Sequence, residues 1–179
     1  MPNAKLLNYL HLHFIVFIWG FTAVLGALIS IDALGLVWFR MSIASLLILA
    51  WVGYKKIPLT FSKKTMLVFL LAGAVIAMHW LAFFGAIKTA NVSITLAIMS
   101  TGSFFTAFLE PIFYKRKIIW YEVVFGLIVV LGLYVIFQVE GDYSWGIVLA
   151  LISSFLGALF SVINGKLAVR YNASAISFY

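Results

Sequence analysis

The sequence contains no cysteine and few charged residues, and each scarcity excludes a class of protein. Without cysteine there are no disulfides, no thiolate metal ligands and no cysteine nucleophiles. The His-Glu-x-x-His pair of zinc peptidases and the Gly-x-Ser-x-Gly elbow of hydrolases are also missing. A phosphate-binding Gly-rich loop is absent as well, which argues against an ATP-driven pump. The sequence therefore predicts no catalytic residue, no metal site and no cofactor.

Charged residues make up 9% of the chain, whereas apolar residues make up 65%. A typical soluble domain is about half apolar and about a quarter charged. A soluble fold of 179 residues could not hide this much apolar surface, because much of a small domain is exposed. The composition therefore predicts an all-α integral membrane protein, since stretches that are apolar on every face favour helices over transmembrane strands.

Six stretches are long and apolar enough to span a bilayer, for which a helix needs about 20 residues. They are residues 10–31, 34–54, 65–87, 90–114, 120–139 and 145–167. A seventh span opens at Ala173. In the fourth span, Pro111 leaves the carbonyl of Ala107 without its helical donor, so we expect a kink there.

The basic residues predict the orientation of these spans. Of the twelve lysines and arginines, ten fall on one side, Lys88 falls on the other, and Arg40 lies inside a span. The ten are Lys5, Lys55, Lys56, Lys63, Lys64, Lys115, Arg116, Lys117, Lys166 and Arg170. The positive-inside rule then predicts a multi-pass protein of the cell (inner) membrane with a cytoplasmic N-terminus. The net charge of +7 is explained by this orientation, so no nucleic-acid partner is expected.

The sixth span resembles a restart of the first in the opposite direction. Residues 17–25 and 155–163 share an aromatic residue, a small residue, a hydroxyl and a valine–aliphatic ending. Because five spans reverse the direction in which the next copy enters, this pattern indicates an inverted-topology repeat. We therefore assign residues 1–142 to a first five-helix repeat and residues 143–179 to the start of a second.

Several short motifs resemble one known family. They are Phe17-Ile-Trp-Gly-Phe21, Trp38-Phe-Arg-Met41, the stretch 78–93 and the stretch 126–132. In these motifs the chain is similar to the drug/metabolite transporter superfamily, in particular its ten-helix EamA-type members. The resemblance implies a helical bundle with a midplane substrate site between two five-helix repeats. It also implies that the chain is a fragment, and four further spans are expected beyond Tyr179.

The chain departs from the pattern of that family in three places. Ser100-Thr-Gly102 stands where members often have a proline midway along the fourth span. The turn after this span reads Phe113-Tyr-Lys-Arg-Lys117 instead of aliphatic-Gly-Glu-Arg. Gly157 replaces the tryptophan that is usual in the sixth span. These departures leave the predicted fold intact and the substrate subgroup open.

Two ionisable residues lie within the predicted spans, nearer the outer side. Arg40 is about six residues, or roughly 9 Å, below the outer edge of its span. It either attracts anions at the mouth of a cavity or extends toward the lipid headgroups. His79 is about 12 Å below the outer edge of the third span. It either binds substrate and relays a proton, since imidazole titrates near pH 6.5, or hydrogen-bonds to a neighbouring helix.

Aromatic and hydroxyl residues complete the candidate site. Trp19 and Trp80 either stack on a planar or cationic solute or pack between helices. The fourth span has a polar stripe at Ser93, Ser100, Ser103, Ala107 and Glu110. We interpret this stripe as a cavity wall in preference to a helix-packing surface. The candidate substrate-binding residues are Trp19, Arg40, His79, Trp80, Asn91, Thr95, Ser100 and Thr101.

The candidate coupling residues are His79 and Glu110. Glu110 lies close to the basic turn at 115–117, so the sequence favours a salt bridge at the inner membrane edge over proton coupling. The sixth span has a stripe of small and polar residues at Ser153, Gly157, Ser161 and Asn164. We interpret this stripe as a packing surface that faces the first span.

Together these features predict a secondary transporter that exports small organic solutes, such as metabolites, amino acids or drugs, by alternating access. The alternative is a non-transporting structural or assembly membrane protein, which would tolerate Arg40→Ala and His79→Ala. The predicted partners are a small-molecule substrate and the lipid bilayer, and a homodimer is the candidate assembly. No enzymatic activity is expected.

Overall fold

The computed structural model describes the backbone of residues 4–137 and 143–179, and these ranges are helical apart from short connections. Their helices are α1 (Ala4–Leu28), α2 (Ala33–Lys55), α3 (Lys63–Thr89), α4 (Val92–Met99), α5 (Gly102–Tyr114), α6 (Trp120–Phe137), α7 (Ser144–Ala168) and α8 (Ala173–Phe178). No strand occurs within these two ranges. The predicted all-α fold is therefore confirmed.

Within the ranges 4–137 and 143–179, five segments are long and apolar enough to cross a membrane, if α4 and α5 are counted as one segment. They correspond to five of the six predicted spans. The remaining one, predicted at 120–139, corresponds to the shorter apolar helix α6, and its last two residues lie outside the described ranges. Helix α8 begins at Ala173, where the seventh span was predicted to open. The pattern is that of a multi-span helical membrane protein.

Polar side chains mark the points where several helices begin. The carboxylate of Asp32 accepts a hydrogen bond from the backbone amide of Gly35 at 2.8 Å, at the start of α2. Ser62 caps α3 in the same way, and Asn91 caps α4. Each cap satisfies an amide that has no partner within the helix. These capping residues therefore mark where α2, α3 and α4 begin, at the edges of the apolar segments.

The fourth predicted span, 90–114, is present as one apolar segment, but a tight turn at Ser100 and Thr101 divides it into α4 and α5. At the junction of α4 and α5, the amides of Ser100 and Thr101 donate to carbonyls three residues back, at 3.2 and 3.0 Å. Such tight bonds interrupt the α-helical pattern. Helix α5 contains Pro111, and the kink expected there stays a prediction. The interruption lies ten residues earlier, at a serine–threonine pair.

Hydroxyl groups add further hydrogen bonds to the carbonyls at this interruption. The Ser100 hydroxyl donates to the carbonyl of Ala97 at 2.6 Å, and the Thr101 hydroxyl donates to that of Ile98 at 2.7 Å. On the neighbouring helix, the Ser154 hydroxyl donates to the carbonyl of Met99 at 3.3 Å. Unpaired backbone groups are costly in lipid, so these bonds stabilise a break that α-helical geometry alone would not support.

Helices α3 and α7 form the central pair of the bundle. Helix α7 packs along α3 and also contacts α4 and α5. Buried small residues allow this close approach, among them Ala86 of α3 and Ala150 and Ser153 of α7, each fully buried. Helix α1 lies at the side of this pair against α3 and α4, and most of its surface is exposed in the described chain. The core therefore lies between α3 and α7.

The contact between α1 and α3 depends on one glycine. A Cβ atom at Gly26 would overlap the ring of Phe84, which is buried and cannot swing away, whereas a Cβ at Gly20 meets no atom within 4 Å. We expect Gly26→Leu to lower the free energy of unfolding by about 1 to 3 kcal/mol through overpacking. Gly20→Leu, on the same helix, is the matched control. Unfolding of the purified variants in detergent measures the difference, and equal stability would contradict this packing.

Candidate functional site

A cavity of about 410 Å³ opens between α1, α3, the interrupted α4–α5 segment and α7. We call it the central cavity. Its aromatic lining consists of Trp19, Trp80, Phe83 and Phe160. Its polar lining consists of Thr22, His79, Thr106, Ser154 and Ser161. An apolar cavity of this size with a few polar groups is typical of a site for a small organic molecule.

His79 is the most firmly held polar residue of the central cavity. Its Nδ1 atom lies 2.8 Å from the carbonyl oxygen of Ser153, and the Ser153 hydroxyl donates to the carbonyl of His79 at 3.1 Å. Because a carbonyl can only accept, Nδ1 carries the proton of the first bond. In the neutral ring, Nε2 is then an acceptor. The described side chains offer Nε2 no hydrogen-bond donor, so a solute can use it.

The His79 ring fills the space left by a missing side chain on α7. A Cβ atom at Gly157 would lie 3.0 Å from both Nδ1 and Cε1 of the imidazole. The ring also contacts Trp80, with centroids 4.9 Å apart, and stacks on Phe83 at 6.1 Å. Gly157 and the two aromatic rings therefore fix the orientation of the imidazole, while the bond to Ser153 fixes its tautomer.

Arg40 lies beside the central cavity and contacts it through Trp80. The guanidinium carbon is 3.7 Å from the centre of the Trp80 ring and 5.9 Å from that of Phe84. Arg40 itself lines a second pocket of about 310 Å³ between α1, α2 and α3. No carboxylate pairs with it among the described residues. A cation–π contact thus stabilises this charge and holds one wall of the cavity.

The remaining candidates do not line the central cavity. Asn91 caps α4, and the Thr95 hydroxyl donates to the carbonyl of Asn91 at 2.7 Å. Ser100 and Thr101 form the α4–α5 interruption, where the Thr101 hydroxyl also donates to Ser154 Oγ at 3.0 Å. The side chains of these four residues hydrogen-bond to the backbone of α4 and of its two ends. The structure thus brings Trp19, His79 and Trp80 together and places the others around them.

Glu110 forms the salt bridge that the sequence favoured. The Arg116 guanidinium donates to Glu110 at 2.7 Å and to Glu122 at 3.0 Å, so it joins the end of α5 to the start of α6. Hydrogen bonds to Glu122 and Glu110 raise the pKa of Arg116 above its usual value. The three groups are partly exposed, which limits their contribution to stability. The pairing leaves His79 as the candidate coupling residue that lies in the cavity.

Four cavity-lining hydroxyls, those of Thr22, Thr106, Ser154 and Ser161, were not among the predicted site residues. Thr22 follows Trp19 by three positions, which places it on the same helical face, and this spacing could have identified it. Thr106 lies on a wall formed with Leu96, Met99 and Gly102. The predicted stripe through Ser100, Ser103 and Ala107 lies one position further along the chain than Met99, Gly102 and Thr106, and therefore on a neighbouring face.

The molecule is thus a multi-span helical membrane protein whose interrupted helix borders a cavity lined by aromatic and polar side chains. Residues 8–138, more than half of the chain, match the model of the EamA-like transporter family, and the chain belongs to that family. Membership makes it a membrane transporter of small solutes. No curated protein and no solved structure gives a significant match to the chain.

Proposed function

We propose that the protein is a secondary transporter that exports small organic solutes, such as metabolites, amino acids or drugs, by alternating access around the central cavity. The observation that carries this proposal is the position of the cavity beside the α4–α5 interruption. Backbone that is not regularly helical is tolerated at membrane depth only when protein buries it or when it lines a cavity. In secondary transporters, discontinuous helices of this kind form the solute site near the midplane.

The lining of the cavity supports a solute with a flat apolar body and a hydrogen-bonding group. Trp19 and Trp80 offer aromatic surface, and His79 offers an acceptor at Nε2. Thr22 and Ser161 supply hydroxyls within the same lining. His79 is also the proposed coupling residue, since it is the ionisable side chain in the lining. Glu110, held by Arg116, is the second and weaker candidate.

The repeat organisation is part of the same proposal. We propose that residues 143–179 begin a second five-helix unit of inverted orientation. We also propose that the protein lies in the inner membrane with its N-terminus in the cytoplasm. The joint lining of the cavity by Trp19 of α1 and Gly157 of α7 supports the inverted second unit, because the first helices of two inverted repeats are expected to border one site.

Uptake by proteoliposomes tests this function. The purified protein is reconstituted, and the flux of labelled aromatic amino acids and amines is measured with and without a pH gradient. We expect saturable flux that Arg40→Ala reduces about tenfold, because loss of the guanidinium frees the Trp80 ring that it holds at 3.7 Å. Lys55→Ala is the matched control, since Lys55 stacks on Trp51 and Tyr54, away from the cavity.

The competing hypothesis predicts a different result. A structural or assembly protein would show no protein-dependent flux for any solute, and Arg40→Ala would change neither its insertion nor its assembly. A flux that is unaffected by Arg40→Ala, with normal insertion, would separate the transport function from this cavity.

A further inference from the structure

A third cavity, of about 530 Å³, is lined by three cations. It lies between α3 and α7, at the end of this helix pair that is opposite to Lys88. We call it the basic cavity. Its cations are Lys64, in the first turn of α3, Lys166, in the last turn of α7, and Arg170, just beyond α7. This end of the bundle is the one that the distribution of basic residues predicts to be cytoplasmic.

The spacing of the lining residues shows that the cavity is a groove between two helical faces. On α3, the apolar wall beyond Lys64 consists of Val68, Leu71, Ala72 and Val75, at the intervals of three and four residues that mark one helical face. On α7, Ile163, Lys166 and Leu167 have the same spacing, and Arg170 follows just beyond the helix. Residues with this spacing share one face of a helix. The groove therefore has a cationic end and an apolar wall that extends about two turns into the membrane.

The charge in the groove is not balanced by acidic residues of the described chain. Of the described carboxylates, Asp32 caps α2, and Glu110 and Glu122 pair with Arg116. None of them is among the residues that line the groove. Lys166 lies over aromatic rings, with Nζ 5.3 Å from the centre of the Tyr114 ring. Positive charge beside an apolar wall is complementary to an amphipathic anion.

Two hydroxyl groups at the cationic end add hydrogen-bond capacity. Thr65 Oγ1 and the Tyr171 hydroxyl are 3.4 Å apart, and both residues line the groove. The N-terminus of α3, capped by Ser62, points its helix dipole at the same end. Hydroxyl donors and a helix N-terminus both favour a phosphate or carboxylate over a neutral group.

We propose that the basic cavity binds an amphipathic anion, with its phosphate or carboxylate against Lys64, Lys166 and Arg170 and its apolar body along α3 and α7. Two sources have this chemistry, namely an acidic phospholipid of the surrounding leaflet and an organic anion in solution. The groove is separate from the central cavity, since no residue lines both. Binding does not require transport, so this proposal and the proposed function fail independently.

Native mass spectrometry of the purified protein in a neutral detergent tests the proposal. Phosphatidylglycerol and phosphatidylcholine are offered together, and the bound lipids are counted. We expect the wild-type protein to prefer phosphatidylglycerol. The double variant Lys166→Gln/Arg170→Gln should lose about thirtyfold in phosphatidylglycerol affinity, since each cation near an anionic headgroup contributes about a factor of five.

The matched control is Lys55→Gln/Lys117→Gln, which removes two charges from the same predicted side without touching the groove. Lys166→Arg is expected to restore the binding that Lys166→Gln weakens, so that the effect of the charge is separated from an effect on folding.

Competition with 3-phenylpropionate and with its uncharged amide identifies whether the bound anion is a lipid or a soluble anion. Displacement by the acid alone indicates a soluble anion, and no displacement indicates the lipid. The proposal is wrong if neither anion is preferred over its neutral counterpart, or if the control loses as much affinity as the groove variant.

Discussion

Replacing Gly157 with leucine is expected to reduce solute affinity and flux by about 5- to 150-fold. A Cβ atom at this position would already lie 3.0 Å from two atoms of the His79 ring. The rest of the leucine side chain would either displace the imidazole or enter the central cavity. Overpacking of this kind costs about 1 to 3 kcal/mol, which corresponds to that range of affinity.

The matched control for this experiment is Gly132→Leu on α6. A Cβ atom at Gly132 meets no atom within 4 Å, so the same substitution there adds a side chain to open surface. Flux in proteoliposomes is compared with the amount of inserted, monodisperse protein for both variants. If Gly157→Leu and Gly132→Leu carry equal flux, the solute does not pass through the central cavity.

The second large effect is expected at His79, where two substitutions separate a structural role from a functional one. His79→Ala removes the donor to the Ser153 carbonyl and should lower stability by about 0.6 to 1.7 kcal/mol, the average and the largest value found for interhelical hydrogen bonds in a membrane protein. His79→Asn retains a donor close to the position of Nδ1 and should preserve much of that stability. Neither variant retains the acceptor at Nε2 or a group that titrates near neutral pH.

We therefore expect both His79 variants to lose about tenfold or more in flux, and the asparagine variant to lose it without a matching loss of stability. A general acid–base or relay group typically contributes a factor of this order or larger. The measurements are detergent unfolding and flux as a function of the imposed pH gradient. Recovery of gradient-driven flux by His79→Asn would show that His79 acts only as an interhelical hydrogen-bond donor.

The fold followed closely from the sequence because lipid imposes strict requirements on the chain. Spans must be apolar, about 20 residues long and internally hydrogen-bonded, so the helix positions could be predicted within a few residues. The local caps were present in the sequence too, for example Asn91 before α4. The salt bridge of Glu110 also followed from the sequence, because its partner Arg116 is only six residues away.

The candidate site was predicted less completely. Trp19, His79 and Trp80 do line the central cavity, since large aromatic and ionisable groups stand out in an apolar chain. Thr95 and Thr101 were expected to bind solute, yet both are fully or almost fully buried and bond to the backbone. A hydroxyl in a membrane helix serves either purpose, and only its neighbours distinguish the two.

The sequence alone thus determined the class of protein and the positions of most spans, because these depend on composition and on the free energy of transfer into lipid. The tertiary structure decided which residues share the cavity. The cavity wall passes through Met99, Gly102 and Thr106, one position before Ser100, Ser103 and Ala107 of the predicted polar stripe. Which of these neighbouring helical faces borders the cavity depends on packing against α7, whose Ser154 bonds to Thr101 and Met99, is more than 50 positions away in the chain and is adjacent only after folding.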